Sequence, residues 1–367
     1  MNSNQYDIQF LCSCSIDEIW IRSTAIKCFQ KGLKIIVTII GDFNNNIEEI
    51  YKSYGIEIVF FLEESSDNNY YSASSINSKL VITASGGINR SFFPTKAKYL
   101  VLMPHSLVSL HLVYPINDFD GYDAIFCCGP HHFKEAKEIA KKRNLNFKLY
   151  KVGYGKLDLL KETYVNILQE DINKSIEIMI APSWGPDNLL DKLSIDLVNE
   201  LTELNYQIVV RPHPLFFVDS IISGFDNSIM NKLDNLANKN LNLKIENPMD
   251  IGKGLFTSSL LINDYSGTGL EYVALRKKRI ISVDLGLKET NKSWKSYGLD
   301  PIEISIRDKI GLISLPTLYE IKKNIKKILE QNSLIPDDTI NLFIYNLNSY
   351  CSDNAFIALQ KLMSESI

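Results

Sequence analysis

The stretch Asp171-Ile172-Asn173-Lys174-Ser175-Ile176-Glu177-Ile178-Met179-Ile180-Ala181 ends one series of alternating elements and starts another. A long polar helix, 156–169, precedes it, and residues 176–181 form a short apolar run after a polar turn, as a buried strand requires. A domain boundary is therefore predicted at 171–172. Before it, strands are predicted at 6–13, 33–40, 56–62, 80–83, 99–103, 123–128 and 147–152, with helices between most of them. Ser15 and Glu18 have capping-box spacing ahead of an apolar-periodic segment that runs to Gln30. After it come helix 187–204, strand 206–211, helix 226–238, strands 241–245 and 259–263, helix 268–276 and strand 279–284. Such alternation predicts the α/β class: two Rossmann-like domains, 1–171 and 172–315, facing a cleft, followed by helices in 316–367.

At 367 residues the chain is too long for one ordinary core and suits two α/β domains. Hydrophobic residues at 45% and charged residues at 22% describe a globular protein, and a net charge of -4 gives no footprint for nucleic acid. The longest apolar runs fall far short of the roughly 20 residues that span a bilayer. The N-terminus lacks the basic and apolar sequence of a secretory signal, so a cytoplasmic location is expected. Cys12, Cys14, Cys28, Cys127, Cys128 and Cys351 lie in apolar segments without metal-ligand spacing and read as reduced core residues.

Val209-Val210-Arg211-Pro212-His213-Pro214 carries the strongest chemical signal. The prolines stop a buried strand and hold Arg211 and His213 at the carboxyl edge of the sheet, where open α/β folds bind ligands. Charge and fixed donors together suit a phosphate. A second signal, Asn263-Asp264-Tyr265-Ser266-Gly267-Thr268-Gly269-Leu270-Glu271, passes from strand through a Gly-rich turn into a helix. Free amides at a helix start cradle phosphate, with Asp264, Ser266, Gly267 and Thr268 beside it and Glu271 one turn in to meet a ribose diol. In Ala181-Pro182-Ser183-Trp184, Ser183 is a candidate phosphate ligand; Trp184 packs near a base or hinge, or is a buried tryptophan at a turn.

Four of the five histidines, His105, His111, His131 and His132, crowd into the first half without zinc spacing, and no metal or cofactor is expected. His105 follows a strand end through Pro104 and has the intrinsic pKa of a general base, with Asp118 or Asp120 next in line. His111, His131 and His132 read as hydrogen-bonding or helix-start residues.

Taken in order, Pro104-His105-Ser106, Gly129-Pro130, Gly153-Tyr154-Gly155 with Asp158, Ala181-Pro182-Ser183-Trp184, Arg211-Pro212-His213-Pro214 and Asp264-Tyr265-Ser266-Gly267 resemble the CDP-glycerol glycerophosphotransferase family over most of 85–309. The resemblance implies a glycosyltransferase-B (GT-B) architecture, its final helices packing back on the first domain. It also implies transfer of glycerol phosphate from a CDP-activated donor to a glycan or lipid-linked acceptor of a teichoic acid or capsule. His105 matches the family's catalytic histidine, with Ser106 where the family has glycine, and Gly153-Tyr154-Gly155-Lys156 replaces Gly-Tyr-Pro-Arg. His213 joins His105 as a catalytic candidate, and Ser106, His131, His132 and Tyr154 are assigned to the acceptor side. Any membrane contact is then peripheral, at the inner face. Three alternatives stay open: a transferase of CMP-activated acidic sugars, a sugar-nucleotide epimerase, and a non-catalytic nucleotide-binding partner of a polymerase.

Overall fold

Seven strands form the first sheet: β1 (Tyr6–Cys12), β2 (Ile35–Ile40), β3 (Glu57–Phe61), β4 (Ser78–Thr83), β5 (Tyr99–Leu102), β6 (Ala124–Cys127) and β7 (Lys148–Lys151). The computed structural model describes residues 5–63, 65–165, 176–193, 195–217, 228–248 and 250–364. All pairings are parallel, in the order β3-β2-β1-β4-β5-β6-β7. A parallel sheet is covered on both faces, so its central strands need apolar residues throughout. Every residue of β2, Ile-Ile-Val-Thr-Ile-Ile, is accordingly buried. Six strands form the second sheet: β8 (Glu177–Ala181), β9 (Gln207–Val210), β10 (Leu243–Ile245), β11 (Leu260–Asn263), β12 (Ile280–Val283) and β13 (Gly311–Ser314). Their order, β10-β9-β8-β11-β12-β13, repeats the first and is again all parallel. In each sheet the order reverses beside its first strand, between β1 and β4 and between β8 and β11, and a ligand crevice opens at such a point.

The chain forms two compact α/β units that are not contiguous in sequence. One holds Met1–Leu160, Glu289–Leu299 and Asn341–Ile367; the other holds Lys161–Lys288 and Asp300–Ile340. The boundary read at 171–172 lies outside the described residues. Residues 289–299, read from sequence with the second domain, belong to the first unit, where the Thr290 and Asn291 amides bond the Leu112 carbonyl.

The tail divides as well. Helix Leu318–Gln331 buries Ile321, Ile325 and Ile328 in the second core, whereas helix Cys351–Ser364 packs Ala355, Ala358, Leu359 and Leu362 into the first. The approach to this last helix is close: the Tyr345 amide bonds the Cys128 carbonyl at 2.7 Å, and any Cβ at Gly129 would run into the Phe343 carbonyl. Asp158 caps the helix, accepting the Cys351 and Ser352 amides at 2.8 and 2.7 Å. Two orphan donors at a buried helix start are thereby satisfied.

Three sequence expectations change. The helix read at 187–204 is two, Leu189–Leu193 and Asp196–Glu203, and edge strand β13 was not foreseen from its four residues. The capping box is absent. Glu18 is fully buried and pairs with Arg22, while the Ser15 amide bonds Asp42. All six cysteines are free and five are buried. No described helix is long and apolar enough to cross a membrane. Replacing Asp158 with alanine should cost about 1–3 kcal/mol by stranding the two amides; urea denaturation of the full chain measures this, and an unchanged midpoint would refute the capping role.

Candidate active site

At the first sheet's carboxyl edge, Pro104 carries the chain out of β5 and sets His105 against three aromatic residues. The ring lies 5.5 Å from that of Trp20 and 5.8 Å from that of Tyr114, both edge-on. Nδ1 sits 3.1 Å from the Ala84 carbonyl, which also accepts the His105 amide. A carbonyl only accepts, so Nδ1 carries the proton and Nε2 of the neutral ring keeps its lone pair. Among the described residues Nε2 makes no hydrogen bond. The Tyr154 hydroxyl donates to the His105 carbonyl at 3.1 Å and accepts from Trp20 Nε1 at 2.7 Å, so this buried tyrosine braces the histidine backbone.

Asp17 was missed from the sequence, where its turn read as a helix cap. Its buried carboxylate accepts the Ser13 amide at 2.9 Å and the Ser85 hydroxyl at 2.8 Å. Burial pushes its pKa up, while the positive charge of His105 and the bonds from Ser85 and Ser13 pull against that rise. Asp118 is half-buried against the turn that follows Ser85. A Cβ at Gly86 would stand 3.2 Å from its Oδ2 and 2.9 Å from the Tyr114 ring, so glycine there lets the carboxylate and the tyrosine close in. Burial and then the charge of Asp120 raise the Asp118 carboxyl to about 6. Asp120 itself is bound by Arg143 through two bonds.

The other first-half histidines are buried. His131 and His132 are buried, and each Nε2 lies 2.8 Å from a backbone carbonyl, of Leu107 and Val108 respectively. Burial lowers both pKa values, that of His132 to about 3 with help from the charge of His131. Both rings are held inside the unit by these bonds, as the hydrogen-bonding reading expects. His111 is buried beside Glu135, 3.4 Å away. Ser106 is half-buried and its hydroxyl accepts the Val108 amide at 3.3 Å.

In the second unit Ser183 and Asp264 bind each other across the reversal between β8 and β11. The Ser183 amide and hydroxyl both reach the Asp264 carboxylate at 2.6 Å, and both residues are buried. The Ser183 proton is thus directed at Asp264 inside the protein. Arg211 is likewise occupied. Its buried guanidinium donates to Glu246 at 3.1 Å and to the carbonyls of Asn247, Pro248 and Asp250 at 3.4, 3.1 and 2.7 Å, tying down the loop after β10. Glu271 is buried, and Trp184 packs against the second core, which favours the turn reading over contact with a base.

His213 is half-buried. Its Nδ1 accepts the Leu215 amide at 3.3 Å, so the neutral ring carries its proton on Nε2 as a donor. The helix Gly267–Arg276 starts after Ser266, whose hydroxyl caps the Thr268 amide at 3.3 Å. Lys288, which the sequence did not single out, bonds the Pro186 carbonyl; burial lowers its pKa against the pull of Asp264, Asp187 and Asp191. Among the described residues no cluster of His, Cys, Asp or Glu is arranged to hold a metal ion.

Solved structures share this architecture. A UDP-N-acetylglucosamine 2-epimerase from Rickettsia bellii superposes with a TM-score of 0.60 at 14% identity, over 98% of this chain and 97% of that one. The same enzyme from Neisseria meningitidis, bound to UDP-GlcNAc, gives 0.58 at 10%, over 97% and 99%. A glycosyltransferase from Rickettsia africae gives 0.55 at 15%, over 98% and 99%. The fold is GT-B-like. No protein-family model and no curated protein matches the sequence.

Two outcomes are expected of variants at the edges of this GT-B-like pair of sheets. The folded Asp118 carboxyl titrates at about 6, against about 4 for a free aspartate. The folded state thus holds more protons in that window, and stability falls as pH rises through it. Asp118→Asn should raise the melting temperature at about pH 7.5 but not at about pH 4, by less than about 1 kcal/mol because solvent screens a half-exposed carboxylate. Thermal melts at the two pH values test this, and equal shifts would refute it. Arg211→Met should cost about 3–5 kcal/mol by leaving Glu246 without its cation and the loop carbonyls without their donor. Chemical denaturation reads that loss, and a variant of full stability would return Arg211 to the ligand-binding candidates.

Proposed function

We propose that this protein transfers a group from a nucleotide-activated donor to an acceptor hydroxyl, with CDP-glycerol as the donor and a glycan or lipid-linked polymer as the acceptor. The observation that carries this reading is the state of His105: Nδ1 tied to the Ala84 carbonyl, Nε2 unbonded among the described residues, at the carboxyl edge of a GT-B-like first sheet. A neutral ring so held takes a proton at Nε2. The acceptor hydroxyl gives its proton to Nε2 as its oxygen attacks the glycerol-bearing phosphorus, and the bond from that phosphorus to the oxygen of CMP breaks. Negative charge on the departing CMP is met by fixed donors in the second unit: His213 Nε2–H, the amides opening helix Gly267–Arg276, and Lys288. A CMP-activated acidic sugar would use the same donors, with the sugar carbon under attack instead of phosphorus. A lipid-linked acceptor would make membrane contact peripheral.

Epimerisation of a UDP-sugar is the second reading. It is favoured by Asp118, a carboxyl raised to about 6 close to Tyr114 and within the same edge as His105. Such a group serves acid–base exchange at a sugar carbon.

Calorimetry with CMP, CDP-glycerol and UDP-GlcNAc, followed by product analysis with each donor, separates the readings. Under the transfer reading, cytidine nucleotides bind. His213→Ala weakens that binding by about tenfold to a hundredfold, the worth of a hydrogen bond to a charged group. His105→Ala keeps the affinity and loses a factor on the order of 100 to 10,000 in turnover. A new UDP-sugar formed without acceptor would establish the epimerase instead, and binding with no turnover of any donor would leave a non-catalytic nucleotide-binding protein.

A further inference from the structure

Three side chains of one helix hold the loop that follows His105. Helix Pro130–Arg143 presents His131, His132 and Glu135, all buried, to residues 107–110. His131 Nε2 lies 2.8 Å from the Leu107 carbonyl, His132 Nε2 lies 2.8 Å from the Val108 carbonyl, and Glu135 accepts the Leu110 amide at 2.6 Å. A carbonyl only accepts, so both Nε2 atoms carry protons. Neither ring takes a second proton without penalty while these bonds stand. His132 Nδ1 accepts the Cys128 amide at 3.4 Å, so a proton there would set one N–H against another. His131 Nδ1 is buried and bonds nothing among the described residues, so a proton there would meet no acceptor. The ring centroids are 4.2 Å apart, and charges on both would repel at that distance. Burial accordingly holds both pKa values down, that of His132 to about 3 with the charge of His131 adding to it.

We propose that this helix face is an acid-sensitive catch on the loop 107–110: the two rings take up protons by letting go of the Leu107 and Val108 carbonyls, so acid frees the segment beside His105. A released imidazole titrates at about 6.5. Below that pH the open form binds more protons than the closed one, and opening becomes easier as pH falls. At about pH 5 each released ring favours opening by about 30-fold, and both together by about 1,000-fold. The other titratable groups around the pair do not titrate in that window. Burial raises the thiols of Cys127 and Cys128 at the end of β6, and it raises Tyr297, 5.8 Å beyond the His111 ring, and Tyr345, whose amide bonds Cys128. His111, from helix Leu110–Val113, has Nδ1 3.4 Å from Glu135. Burial works to raise the Glu135 carboxyl, but His111, His131 and His132 hold it below its ordinary range. Its release therefore adds to opening only near and below about pH 4.

Amide hydrogen exchange of the full chain at about pH 7.5 and about pH 5, corrected for intrinsic rates, measures the opening. Protection of the Val108 and Leu110 amides should fall by a factor on the order of 30 to 1,000 at the lower pH, while strands β2 and β11 keep theirs. Replacing both histidines, His131→Gln with His132→Gln, leaves each carbonyl a donor that takes up no proton, and the fall should disappear. Should the double variant fail to fold, His131→Gln alone should leave a fall of about 30-fold. Should neither fold, the unaltered protein decides by itself, through a fall confined to this loop. Unchanged protection at pH 5, a fall shared equally by β2 and β11, or an undiminished fall in the folded double variant would overturn the proposal. No nucleotide or acceptor enters the measurement, so its failure leaves the transfer reading intact, and a protein that binds no donor leaves the catch intact.

Discussion

A buried carboxylate bonded to a serine closes the point of strand reversal in each sheet. In the first unit Asp17, after β1, takes the hydroxyl of Ser85, after β4; in the second, Asp264, after β11, takes the amide and hydroxyl of Ser183, after β8. The roles are swapped between the strands, but the constraint is the same. Where neighbouring strands send their helices to opposite faces, the loops diverge and leave a crevice floored by unpaired backbone amides. A carboxylate that accepts an amide and a hydroxyl together fills that need, and burial makes the bond costly to break. Each clamp fixes the two loops that border the crevice, and the positions of His105 and of the Gly267 helix start follow from it.

The clamps also explain which polar residues remain available. A buried polar group has to be satisfied from within. Arg211, Ser183, Tyr154 and His132 are satisfied in this way, each by partners inside its own unit. What is left over is smaller and differently composed: His105 with one nitrogen uncommitted among the described residues, a helix start, and Asp118 poised near 6.

A second buried cluster has a different purpose. Glu135, with its pKa lowered by His111, His131 and His132 against the cost of burial, accepts the Leu110 amide at 2.6 Å. Its histidines reach the carbonyls of Leu107, Val108 and Leu299. This network ties the segment after His105 to helix Pro130–Arg143 and to the returning segment 289–299. The crowding of histidines in the first half is thus mainly a way of holding the loop that carries one of them.

The sequence by itself determined the α/β class, twelve of the thirteen strands and the carboxyl-edge placement of His105, His213 and Ser266, because buried parallel strands are written as local apolar runs and prolines and glycines mark their ends. It did not determine β13, whose four residues include an exposed isoleucine and a glycine packed against β12. Nor did it separate the free residues from the spent ones. Arg211 among backbone carbonyls and an arginine facing solvent have the same letters around them, and the difference lies in a loop 35 to 39 residues away. Asp17 and Ser85 stand 68 positions apart, and no local periodicity links them. Burial and partnership are properties of the folded neighbourhood, so only the tertiary structure decided which of these side chains still has a proton or a lone pair to offer.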